Sequence, residues 1–85
     1  MKNFKEPFII RVGKVTKNDN GKTNYYTTKK DLKNTFTECD NLAKDYEKWC
    51  LTENEYLHIE ALDNNGSLVY LLRVDNKGKK EIYRN

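Results

Sequence analysis

One histidine, two cysteines and three arginines are few among 85 residues, and they limit the reactive centres the chain can build. His58 and the two thiols cannot supply a tetrahedral zinc set. Acid–base chemistry at His58 would need an orienting partner, and Glu60, two residues along the same strand face, is too generic a neighbour to mark one. Gly21, Gly66 and Gly78 stand alone in turns, without the loop that cradles phosphates. Cys39 and Cys50 fall in a stretch that reads as one helix. Eleven residues of helix place them roughly 16 Å apart, whereas a disulfide needs Cα atoms within about 7 Å. Both read as small apolar residues on or beside a buried stripe. Free thiols and the lack of a signal peptide point to a reducing, cytoplasmic setting. No apolar run approaches the ~18 residues of a membrane helix. The expectation is a protein that is not an enzyme, with no metal, no cofactor and no membrane span.

Apolar residues are also scarce. Leu, Ile, Val and Phe make up about 22% of the chain, just above the composition at which disorder becomes the default. Six tyrosines and one tryptophan add buried area. Two domains would each hold too few residues for a core, so the chain reads as one lean domain over 7–85 behind a flexible segment, 1–6. Such a domain needs a helix lying on a sheet.

The pattern along the chain agrees. Pro7 introduces an alternating, β-branched run from Phe8 to Val15, the polar stretch 17–22 reads as a hairpin turn, and 24–27 reads as the returning strand. Thr28-Lys29-Lys30-Asp31 resembles a helix start, with Thr28 as cap and Asp31 at the positive end of the dipole. Apolar residues then recur at Leu32, Phe36, Cys39, Leu42 or Ala43, Tyr46 and Trp49 or Cys50, the strongest period in the chain. Asn34-Thr35-Phe36-Thr37 is a weak spot where the helix could break, with Thr37 capping a second start. Strands follow at 55–62 and 67–74. A two-residue Asn65-Gly66 turn between them pairs Leu57 with Val74, Ile59 with Leu72 and Ala61 with Tyr70 on one apolar face. A three-residue loop would put Leu57 opposite Arg73, so the first register is adopted. Asp75-Asn76-Lys77-Gly78 reads as a type I turn with a glycine bulge, placing Ile82 beside Leu72 and Glu81 beside Arg73. The fold class is α+β: a small single domain in ββαβββ order, with an antiparallel sheet of four to five strands and one long amphipathic helix on one face.

Charge comes in three blocks: +6 over residues 1–33, −6 over 34–66 and +3 over 67–85. If strands from the two basic blocks lie side by side, the domain becomes a dipole, basic at the sheet and acidic at the helix. Three surfaces follow. The acidic helix side (Glu38, Asp40, Asp45, Glu47, Glu53, Glu55) could meet a basic groove on a partner protein. An uncovered sheet face (Leu62, Val69, Leu71, Tyr83) could serve a partner or a homodimer, unless the first hairpin folds over it. Tyr25, Tyr26, Lys29, Lys30, Lys33, Lys79 and Lys80 could supply phosphate contacts and base stacking to DNA or RNA. Against that last surface, lysine dominates and only three arginines are present for base readout.

Lys and Asn together number 24, a bias that points to an AT-rich genome: a low-GC bacterium, or a phage or plasmid living in one. In size, composition and lack of catalytic residues the chain is similar to small accessory proteins of phages and mobile elements. These include inhibitors of bacterial defence systems such as anti-CRISPR proteins, a likeness that covers no particular residue. The expected function is therefore a small non-enzymatic regulatory protein that docks on another protein. A nucleic-acid-binding module is the alternative.

Overall fold

The computed structural model describes residues 4–16 and 25–84, with Tyr25, Tyr26 and Arg84 described in backbone only. The turn expected at 17–22 lies outside these residues. Five strands, β1 (Phe8–Thr16), β2 (Tyr25–Lys29), β3 (Glu55–Leu62), β4 (Leu68–Asp75) and β5 (Lys80–Arg84), form one antiparallel sheet in the order β2-β1-β3-β4-β5. Helix α1 (Leu32–Lys44) lies between β2 and β3 in sequence and packs on one face of the sheet. This is the ββαβββ arrangement expected from the periodicities.

The core is one layer deep. Phe8, Ile10 and Val12 of β1, Leu57, Ile59 and Ala61 of β3 and Tyr70, Leu72 and Val74 of β4 are buried together with Cys39 and Ala43 of α1. Two cross-strand rows, Ile10–Ala61–Tyr70 and Val12–Ile59–Leu72, supply most of it. Small residues on the helix let α1 approach the sheet. Phe36 meets the buried ring of Tyr70 with centroids 5.2 Å apart, a tilted aromatic pair. Within the segment 1–6, expected to be flexible, Phe4 packs against the core and the Lys5 amide donates to Asp63 Oδ2 (3.1 Å).

The helix starts later than the expected cap at Thr28 and ends earlier than its apolar stripe suggests. Thr28 is not the cap, because it is held in β2 opposite Ile9. Asp31 takes that place and accepts from the Asn34 amide (2.7 Å), consistent with the stronger capping preference of Asp. The helix runs unbroken through 34–37. The hydroxyls of Thr35 and Thr37 donate back to the carbonyls of Asp31 and Lys33 (2.7 and 3.0 Å), so neither competes for a new helix start. After Asp45 the chain tightens into a 3₁₀ turn, Tyr46–Trp49, in which residues three apart eclipse and both aromatics lean on the core. Cys50 then sits at φ 52°, a left-handed exit. It is exposed rather than part of the buried stripe, and both cysteines are free thiols.

The β3–β4 connection corrects the expected turn but keeps the expected register. The loop has three residues: the Asp63 amide donates to the Ser67 carbonyl (3.0 Å), Gly66 donates to the Asp63 carbonyl (3.0 Å), and Gly66 has φ +82°. Carried along the strands, that loop would put Leu57 opposite Arg73. It does not, because β4 contains a bulge: Leu62 faces Leu68, then Ala61 faces Tyr70, and Val69 is the extra residue. One irregularity cancels the other, and Leu57 meets Val74 as apolar burial requires. The β4–β5 turn has the same form, with Gly78 at φ +84°. In each turn the leading aspartate, Asp63 or Asp75, accepts backbone amides at positions +2 and +4 through Oδ1 (2.9–3.0 Å).

Candidate functional site

Helix α1 packs on one face of the sheet, and no described element lies over the other. β2 does not fold across that second face but extends the sheet edgewise beside β1. Two rows span the open face, Arg11–Glu60–Leu71–Tyr83 and Gly13–His58–Arg73–Glu81. Ile9 and Leu62 flank them at one end, Val15 and Tyr56 at the other. Of the residues expected here, Leu62 and Leu71 are half-buried and Tyr83 is 49% exposed. Val69 is a correction: the bulge turns it into the core, where it is 2% exposed and closed to any partner.

The polar groups of this face oppose one another across strands. Arg11 faces Glu60, and Arg73 faces Glu81, so the open face is charge-balanced rather than the basic half of a dipole. The Arg73 guanidinium lies 5.0 Å from the centroid of the Tyr56 ring, a cation–π stack. Tyr83 donates its hydroxyl proton to Glu81 Oε2 (3.2 Å). His58 Nε2 is 4.0 Å from Glu60 Oε2, beyond hydrogen-bond reach. Partial burial holds the imidazole below its usual pKa, Glu60 opposes that shift and Arg73 adds to it. At the β4–β5 end a polar groove of about 550 Å³ is lined by Tyr56 and Arg73 with Glu53, Glu55, Asp75, Lys77, Lys79 and Glu81.

The acidic set divides between two places. Glu38 and Asp40 flank Cys39 on α1, and Asp45 pairs with exposed Lys48 (3.7 Å) beside Glu47 in the 3₁₀ turn. Glu53 and Glu55 instead border the groove among cations, and Glu55 Oε1 is engaged with the Thr52 amide (2.9 Å). The basic set is divided more widely. Lys29 ends β2 opposite Phe8, with Lys30 and Lys33 just beyond, whereas Lys79 and Lys80 lead into β5. The strands of the two basic blocks are not neighbours, because β3 separates β1 from β4. Four interstrand steps put the two edges about 19 Å apart, and the two lysine groups also stand at opposite ends of the strands. The side chains of Tyr25 and Tyr26 lie outside the described residues.

Comparison with protein-family models, with curated proteins and with solved structures gives no match to this chain.

Among the described residues no group of three or more His, Cys, Asp or Glu could hold a metal ion, and no described helix is long and apolar enough to cross a membrane. Burial, with Asp40 and Glu38 beside it, pushes the Cys39 thiol up to about 12, so it stays protonated at neutral pH and is a poor nucleophile. Backbone amides hold Asp63 and Asp75 below the usual carboxylate range, Lys5 first and then Ser67 and Asn65 at Asp63, and Lys79 and Lys77 at Asp75. Sequence reasoning did not find the Tyr56–Arg73 stack or the groove beside it. Both residues belong to strands whose register was expected correctly, so their position on the face opposite the helix was the available signal.

Proposed function

We propose that this chain is a non-enzymatic protein-binding module of a regulatory kind, and that it docks a partner protein on its open sheet face. One observation carries the reading: Tyr56, Leu62, Leu71 and Tyr83 are interleaved with two arginines and two glutamates in opposed positions, with no described element packed over them. Interface centres favour tyrosine and arginine and disfavour uncancelled charge. A face carrying as many glutamates as arginines offers little net attraction to phosphate, and the lysine groups at opposite corners do not join into one track. These features favour a protein over DNA or RNA. The setting proposed for this activity is inhibition of a host defence system by a phage- or mobile-element-encoded protein, supported by the chain's size and its Lys- and Asn-rich composition.

The test compares immobilised wild-type protein with a Leu62→Lys/Leu71→Lys variant in a low-GC bacterial lysate, with circular dichroism verifying that both are folded. A protein retained by the wild type and lost from the variant is the expected result. Capture that ignores the substitutions overturns the reading. So does retention of DNA or RNA alone, with affinity falling steeply as salt rises.

A further inference from the structure

Among the described residues, the exposed large apolar side chains are Ile82 (48%) and Tyr83 (49%), both on β5. They are neighbours in sequence and so point to opposite faces of the sheet, Ile82 to the helix side and Tyr83 to the open side. Helix α1 packs over β1 to β4, which leaves the helix-side face of β5 uncovered at Ile82. On its outer edge β5 has no described neighbour. Among the described residues the sheet thus ends in a strand exposed on both faces and along one side.

The backbone of that edge has no strand partner among the described residues. Asp75 and Lys79 form the closing hydrogen-bonded pair of the β4–β5 turn, so alternation directs the N–H and C=O groups of Glu81 and Tyr83 toward β4. Those of Lys80, Ile82 and Arg84 point away from the sheet. Edge strands are commonly blunted by proline, by a bulge, by charged side chains or by a covering element. β5 contains neither proline nor bulge, and its register with β4 is unbroken from Lys80 to Arg84. What it carries is charge: the alternate positions Lys80, Ile82 and Arg84 read basic, aliphatic, basic.

That pattern discriminates between occupants. A second copy pairing antiparallel about Ile82 would bring Lys80 opposite Arg84 of the second copy, like charge against like. A strand reading acid, aliphatic, acid on the same face would meet opposite charge at both ends and Ile82 in the middle. Resting on the protein-docking reading above, we infer that β5 receives an extended segment of the partner protein as a sixth, antiparallel strand, with acidic residues flanking an aliphatic one opposite Lys80, Ile82 and Arg84. Main-chain hydrogen bonds to Lys80, Ile82 and Arg84 supply the attachment, and the flanking charges set the choice of strand. Tyr83 belongs to both surfaces, so the added strand continues the open face.

The probe is a capped seven-residue threonine peptide carrying glutamate, valine and glutamate at its second, fourth and sixth positions, with a control in which both glutamates are lysine. Binding is followed by amide chemical shifts of the intact chain at millimolar peptide. The expected result is perturbation of the amides of Lys80, Ile82 and Arg84, with the lysine peptide at least tenfold weaker. Ile82→Pro removes an outward N–H that β4 does not use, an edge position where proline is tolerated, and it should abolish binding. Should Ile82→Pro fail to fold, Ile82→Lys leaves the backbone intact and should weaken the glutamate peptide at least tenfold. Equal binding of both peptides, no shifts on β5, or shifts indifferent to Ile82 overturn the inference. A concentration-dependent dimer lost in Ile82→Pro also overturns it, by making a second copy the occupant. Shifts confined to Glu60, Leu71 and His58 overturn strand addition and leave docking on the open face standing.

Discussion

The twin turns 63–67 and 75–79 allow a controlled test of how tertiary packing reads a local conformation. Both place glycine at the same backbone angle, φ +82° at Gly66 and +84° at Gly78. An alanine there adopts the left-handed region at a cost of about 1–2 kcal/mol. The lower entropy of its unfolded chain offsets roughly 0.4–1 kcal/mol of that. At Gly66 nothing lies within 4 Å of the added Cβ, so Gly66→Ala should cost about 1 kcal/mol. At Gly78 the same Cβ would stand 2.7 Å from Tyr46 Oη and 3.0 Å from its Cζ. Tyr46 is anchored against the core by the 3₁₀ turn, and displacing it adds overpacking of about 1–3 kcal/mol. Gly78→Ala should therefore cost about 2–4 kcal/mol, a drop in Tm of at least roughly 8 °C. Urea unfolding followed by Trp49 fluorescence and by circular dichroism measures both variants. In a Tyr46→Ala background the excess cost at Gly78 should disappear while the cost at Gly66 stays. Equal costs at the two turns, or an excess that survives removal of Tyr46, would refute the reasoning.

Deleting Val69 should leave a folded protein, because the bulge disappears and Ala61 still meets Tyr70; the loss is the burial of one valine, about 1.5–3 kcal/mol. Deleting Arg73 turns later β4 residues to the wrong face and should abolish cooperative unfolding, and cross-strand proton contacts between Leu57 and Val74 distinguish the two deletions. Asp63 is held below the usual carboxylate range, first by the Lys5 amide and then by Ser67 and Asn65. Its contribution to stability is present above the unfolded pKa near ~3.9 and is lost as pH falls through the lower folded value. Thermal melts of Asp63→Asn should accordingly fall less steeply below pH ~4 than those of the wild type. His58 is likewise depressed, so its neutral form stabilises the fold above about pH 6.5 and that contribution is lost as pH drops toward the folded pKa. A nuclear magnetic resonance titration with an imidazole midpoint at or above 6.5 would contradict this. A disulfide-exchange reagent should label exposed Cys50 in the native protein and reach Cys39 only on unfolding, and rapid labelling of both thiols would show that the helix does not seal Cys39.

Much of the architecture was legible from residues 55–82, where alternation of period two left one register that kept charge out of the core. Ile59 opposite Leu72 and Ile82 beside Leu72 follow from that constraint alone. The turn has three residues rather than the two that Asn65-Gly66 suggests, and the register is unchanged because burial of Leu57, Ile59 and Ala61 outweighs the preference of a loop. The bulge at Val69 is the adjustment that burial imposed. Helix boundaries were less legible. Thr28 and Asp31 are both good caps, and β2 pairing with β1 decided between them. Cys50 continued the apolar stripe in sequence, yet the chain left the helix five residues earlier.

By itself the sequence determined the class of element in each segment, the apolar face of each strand and the small inventory of reactive side chains, because periodicity and composition act locally. Only the tertiary structure decided where the charge blocks went. Strand order is a long-range outcome: inserting β3 between β1 and β4 carried the two lysine groups to opposite edges and set arginine against glutamate across the open face. The same order made β5 an edge beyond the reach of α1. That turned Ile82, which in sequence reads as one more core residue, into an exposed one.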